Sequence, residues 1–139
     1  DLRICGHTAR FGAPIKNLGL VMAYPELSPL LDILPKDILL EMLLTGRIYN
    51  AEEALALQMV TRTVQDNELK ETVQKTVDAI LSGAPLAARW HKRFIRHLSS
   101  RQPLSEAEKA ICFDCYDTKD YREGCQAFRE HRKPVFKGK

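Results

Sequence analysis

The sequence predicts a helix-rich α/β chain with an incomplete sheet. Three observations carry this. Apolar residues recur at helical spacing through most of the second half, as in KDILLEMLLT and LAARWHKRFIRHL. A β-branched run, MVTRTV, reads as a strand, and only two further short stretches are extended. Three scattered strands cannot close a stable sheet alone, although a chain of 139 residues can bury a sizeable core.

Taken in order, Asp1 to Ile4 alternates and reads as a strand end, and Ala9 to Pro14 (ARFGAP) is a second extended piece closed by glycine and proline. Asn17 to Pro35 reads as a glycine-containing loop, then a turn or two of helix broken by Pro25, Pro29 and Pro35. Lys36 to Thr45 carries apolar residues at 38, 39, 42 and 43, a helical two-and-two pattern, with Gly46 as its C-cap. Asn50-Ala-Glu-Glu has the form of a capping box: Asn50 accepts a backbone hydrogen bond and Glu53 reaches back. A short helix to about Leu57 and the MVTRTV strand follow. Asp66 or Asn67 opens an amphipathic helix to about Leu81, with Leu69, Val73, Val77 and Ile80 on one stripe. Pro85 suits a first helical turn and starts the next helix. A long helix from about Leu104 to Asp117, another from Asp120 to about His131, and a basic irregular tail, KPVFKGK, complete the chain. The opening strand has no start and there is no initiator methionine, so residues ahead of Asp1 are expected.

Composition bounds the function. With 45% hydrophobic and 28% charged residues the chain is ordinary globular protein, which excludes wholesale disorder and fibrous repeats. No apolar run reaches the roughly 18 residues of a membrane span. The net charge of +3 is too balanced to argue for nucleic acid. DLRICGHTAR lacks the layout of a signal peptide, so a cytoplasmic location is expected. Cys5, Cys112, Cys115 and Cys125 are too few for a disulfide scaffold. Cys112 and Cys115 form a CxxC, but inside a helix-like run and without a histidine at zinc spacing; reduced structural thiols are the leading reading, metal or redox chemistry the minor one.

The order of segments DLRIC, ARFGAP, NLGLV, LLEMLLTGRIYNAEEALALQMVTRTV, GAPLAARWHKRFI and YREGCQAFREHRKPVFKGK resembles the C-terminal half of the enoyl-CoA hydratase/isomerase family, the crotonase superfamily. LLTGRIYNAEEALALQMVTRTV is the most specific piece, similar to the family's L-x-G-x-x-x-x-A-x-x-A-x-x-x-G-L-V run. The resemblance implies a ββα spiral whose end would lie in 1–65 with an active-site loop, and a helical trimerisation and CoA-contact region in 66–139. It implies a homotrimer or hexamer, an acyl-CoA thioester as the small-molecule partner, and no cofactor beyond the coenzyme A of the substrate. Neither membrane nor nucleic acid is expected as a partner.

The chemistry implied is enolate formation beside a thioester carbonyl held by two backbone N–H groups, with two carboxylates handling water and proton in the hydratases. The oxyanion-hole donors and the first glutamate would precede Asp1. The second glutamate follows the proline of an F-G-x-P-E motif, which here reads Phe11-Gly12-Ala13-Pro14-Ile15. Isoleucine can neither accept nor donate a proton. Three readings stay open: a reaction needing at most one carboxylate, replacement of the lost group by Glu26 or Tyr24, or a catalytically silent acyl-CoA binder. Against a catalytic Glu26 stands its place at a helix start, where a solvated carboxylate is favoured by the dipole.

In the tail, the resemblance places Phe128 against the adenine end of CoA. His131 stands where a lysine is expected, and histidine carries no fixed charge at neutral pH. Arg132 and Lys133 beside it are candidates for the 3′-phosphate, against the alternative of a solvated basic helix end. Trp90, among Arg89, His91, Lys92 and Arg93, can read as a cation–π surface, but its spacing with Leu86, Phe94 and Leu98 favours a packed core residue.

Overall fold

The computed structural model describes residues 1–139. The chain forms two compact units, Asp1–Gln74 and Lys75–Lys139, and the division falls within a helix.

In the first unit, β1 (Ile4–Gly6) pairs in parallel with β4 (Arg62–Val64), Cys5 opposite Thr63. β2 (Arg10–Phe11) pairs antiparallel with β3 (Tyr49–Asn50), Phe11 opposite Tyr49. Between them lie α1 (Tyr24–Leu31), α2 (Lys36–Thr45) and α3 (Ala51–Ala56). The core gathers Leu39 and Met42 of α2, Ala51 and Ala54 of α3, Tyr49, Met59, Val60, Leu34 and Cys5. Burial pushes the Cys5 thiol up, with the charge of Asp66 adding to it.

Local signals hold where the interactions are local. Gly46 closes α2 in the left-handed conformation at φ 72°, its N–H donating to the Met42 carbonyl at 3.0 Å. Asn50 Oδ1 accepts from Glu53 N at 2.9 Å and Glu53 Oε2 accepts from Asn50 N at 2.8 Å, the reciprocal box that starts α3.

The breaks expected in α1 are corrected. Pro25 lies in the first turn, where no intrahelical donor is needed, and Pro29 sits inside a helix that continues through it. Only Pro35 separates helices, standing at the N-cap of α2. The first expected strand is shifted to Ile4–Gly6 and the MVTRTV strand is shortened to Arg62–Val64. Met59 and Val60 instead close α3, both N–H groups donating to the Ala54 carbonyl, and they are buried in the core. Gln58 just ahead of them takes φ 58°, a region that costs a side-chain-bearing residue about 1–2 kcal/mol.

In the second unit, α4 (Leu69–Leu81) supplies its C-terminal half, followed by α5 (Pro85–Ser99), α6 (Glu106–Ala110) and α7 (Lys119–Arg129). The single helix expected from Leu104 to Asp117 is two elements. A capping box between Ser105 and Glu108 starts α6, and residues Ile111–Asp117 tighten into a 3₁₀ helix. Asp114 and Asp117 lie in that stretch, and residues of this type compete with helix backbone bonds. α7 stops at Arg129, and His131 lies beyond it at φ 52°.

The tail has no regular structure yet is pinned. Lys137 N and Gly138 N donate to the buried Asp120 carboxylate at 2.7 and 2.8 Å, and the Lys139 carbonyl accepts from Lys119 N at 2.7 Å. Buried carboxylates survive when they are fully hydrogen-bonded, and here the chain's own end supplies the donors.

Candidate functional site

Two regions hold the residues singled out from sequence, one in each unit. In the first, Pro14–Leu18 forms a 3₁₀ turn ended by Gly19 at φ 67°. Ile15 is half-buried in it. Upstream, a Cβ on Gly12 would lie 2.9 Å from the Arg47 carbonyl oxygen and 3.1 Å from the Ile48 side chain, so backbone contact excludes larger residues there. The glycine and proline of Phe11-Gly12-Ala13-Pro14 are therefore kept in a defined frame, while the group after them is apolar.

Glu26 stands at the third position of α1, and its Oε2 accepts from Ala23 N at 2.7 Å. Its carboxylate thus caps its own helix. Tyr24, at the start of the same helix, is 90% exposed.

Beneath this loop, Tyr49 is fully buried and its hydroxyl donates to Glu41 Oε2 at 2.8 Å. Arg47 bridges Glu41 at 2.8 Å and Glu53 at 2.7 Å, with its guanidinium 4.7 Å from the Tyr49 ring centre. The hydrogen bonds from Tyr49 and Arg47 hold the Glu41 carboxyl below its ordinary range. Burial and then the bond to Glu41 push Tyr49 up to about 12. This cluster ties α2, β3 and α3 together and was not anticipated from sequence; its members are eight or fewer residues apart in pairs, but no single motif signals it.

In the second unit, an apolar cleft of about 500 Å³ is lined by Leu86, Trp90 and Phe94 of α5, by Cys112 and Cys115 of the 3₁₀ segment, by Tyr121, Cys125 and Phe128 of α7, and by Phe136 of the tail. The 3₁₀ segment packs on both α5 and α7. Trp90 was expected in a closed core with Leu86, Phe94 and Leu98. It is half-buried on the cleft wall with Leu86 and Phe94, whereas Leu98 is 63% exposed and lies outside the lining of the cleft.

Phe128 lines this cleft with 82% of its surface exposed. Beyond it His131 and Lys133 are exposed. Arg132, also a sequence candidate for phosphate, is engaged: it donates to Glu123 at 2.6 and 3.0 Å and to Glu130 at 2.6 Å. Its bond and that from Val135 N hold Glu123 down to about 2. Glu123 and Glu130 both engage Arg132, which remains exposed like Lys133 beside it.

The family model for enoyl-CoA hydratase/isomerase matches residues 1–139. The chain belongs to this family. It is 34% identical over 146 residues to the carnitinyl-CoA dehydratase of Salmonella heidelberg (strain SL476), covering all of this chain and 56% of that protein. A solved enoyl-CoA hydratase/carnithine racemase from Magnetospirillum magneticum superimposes with a TM-score of 0.96 at 46% identity, covering 100% of this chain and 52% of that one. An enoyl-CoA hydratase from Mycobacterium tuberculosis H37Rv superimposes at 0.89 with 28% identity and covers 56% of its chain. The chain spans about half the length of these relatives, and it corresponds to their C-terminal part. No helix of this family member is long and apolar enough to cross a membrane.

Proposed function

We propose that this chain is part of an acyl-CoA thioester enzyme of the enoyl-CoA hydratase/isomerase type, acting in fatty-acid or related acyl-CoA metabolism. The family match over all 139 residues carries this reading. Within the family's possibilities, Ile15 in place of the motif's glutamate favours a reaction that needs at most one carboxylate, such as isomerisation or decarboxylation. Replacement of the lost group by Glu26 is disfavoured by the hydrogen bond that commits its carboxylate to Ala23 N. Ile15 also fits a second reading, a catalytically silent acyl-CoA binder, and assays of the full-length wild type for isomerisation and decarboxylation of acyl-CoA substrates separate the two.

For binding, the reading puts Phe128 against the adenine of CoA with Lys133 and His131 nearby. Phe128→Ala is expected to weaken CoA binding by about 1 kcal/mol through lost aromatic contact. Calorimetry on the full-length protein with CoA and 3′-dephospho-CoA checks both parts. Weaker binding of the dephospho form supports Lys133 reading the 3′-phosphate, whereas equal affinities remove that role.

The same reading takes the assembled protein as a trimer or a dimer of trimers. Val73, Val77 and Ile80 on α4 remain 40%, 40% and 52% exposed, an apolar stripe suited to a subunit interface. Light scattering at micromolar concentration is expected to give three or six subunits, and a monomer would remove the proposal.

A further inference from the structure

We propose that Asp120, together with Glu123, is a positioning residue for the nucleotide end of CoA. The two carboxylates hold residues 132–139 as a strap along α7 and so fix the turn that carries Phe128, His131 and Lys133. This role rests on the acyl-CoA reading given above. A series of hydrogen bonds in register with the helix carries it. The chain reverses at His131, which takes φ 52°, and Arg132 N donates to the Ala127 carbonyl at 3.0 Å. Glu123 Oε1 then accepts from Arg132 Nη1 at 2.6 Å and from Val135 N at 2.8 Å, joining the turn to the strap. Lys137 N and Gly138 N donate to the two oxygens of Asp120, and the Lys139 carbonyl accepts from Lys119 N at 2.7 Å and Asp120 N at 3.2 Å. Rising positions in the tail meet falling positions in the helix, which is the pattern of an antiparallel strap.

Residues 132–139 have no regular structure of their own. Ordering such a segment costs conformational entropy with no internal hydrogen bonds to offset it, so its order depends on partners outside it. Asp120 is the strongest of these: it is 4% exposed and each of its oxygens accepts a strap N–H, away from competing water. Gly138 takes φ 70° where the two consecutive N–H groups converge on that carboxylate, a conformation open to glycine without steric cost. Phe136 adds an apolar contact, its ring 3.6 Å from where a Cβ on Gly124 would stand.

The consequence falls on exposed side chains set on a fixed backbone. Phe128, His131 and Lys133 are exposed, yet the turn between them is tied at its start by Ala127 and at its end by Glu123. A ligand meeting these three residues has less chain to order on binding. With the strap loosened, only the fraction of molecules with the turn formed is competent, and apparent affinity falls by that fraction.

Calorimetry on the full-length protein with acetyl-CoA and with S-acetylpantetheine, which keeps the thioester but lacks the nucleotide, tests this. Asp120→Asn retains the size of the side chain and turns one acceptor into an NH₂ group facing an N–H donor. It is expected to weaken acetyl-CoA binding about tenfold, as for a turn formed in about one molecule in ten, and to leave S-acetylpantetheine within about twofold. Gly138→Pro removes a donor and the left-handed turn without touching α7, and it should give the same pattern even if Asp120→Asn does not fold. Wild-type acetyl-CoA affinity in the variants, or equal losses for both ligands, would overturn the role of Asp120 while leaving the acyl-CoA reading intact. A wild type that binds no acetyl-CoA would overturn that reading and this role with it.

Discussion

Ile15→Glu in the full-length protein is expected to raise hydration of crotonyl-CoA above a wild-type level that is low or nil. A positioned acid or base typically contributes about 10²–10⁴-fold, and the wild type lacks one at the place where the family motif carries it. The frame for it is intact: Gly12 is held against the Arg47 carbonyl, and Pro14 opens the 3₁₀ turn bearing residue 15. The substitution is thus one of chemistry rather than of backbone. Recovery should be partial, because position 15 is half-buried and desolvation raises a carboxyl pKa, which depletes the ionised form. Wild-type hydration at ordinary enzyme rates, about 1–10³ per second, would show that another residue handles the proton. Glu26→Gln would then be the next variant. Binding of CoA thioesters by both proteins with no turnover on any enoyl substrate would favour the silent binder.

Tyr49→Ala is expected to be the most destabilising single change in the first unit, by about 3–5 kcal/mol, since it empties a fully buried aromatic site. Tyr49→Phe keeps the ring and its contact with Arg47 but removes the donor to Glu41, which should cost about 1 kcal/mol because water can reach that carboxylate. Urea unfolding of the full-length variants separates packing from hydrogen bonding. The pH dependence follows from the same residue. Burial and Glu41 raise its folded pKa to about 12, above the ordinary tyrosine value near 10, so the folded state holds its proton longer than the unfolded state. This contribution is fully present below about pH 10 and is lost as pH rises towards 12. Tyr49→Phe should flatten the stability profile in that window. A profile identical to wild type would show that other groups govern it.

Sequence alone determined the parts governed by near neighbours: α2 with its Gly46 cap, the Asn50–Glu53 box, Pro85 at the start of α5, and the family order of segments that Ile15 interrupts. The first three are settled within one or two helical turns, where spacing and capping residues dominate. Tertiary structure decided the rest. Met59 and Val60 left the predicted strand to fill the core, and Gln58 took a left-handed conformation to let them turn. Arg132 is bound by Glu123, nine residues away, and the tail found Asp120 and became ordered. The spacing that suggested a packed Trp90 identified an apolar face, but only the positions of the 3₁₀ segment and α7 made that face the wall of a cleft. These outcomes depend on contacts between residues distant in sequence, whose energies outweigh local propensity and leave no local pattern to read.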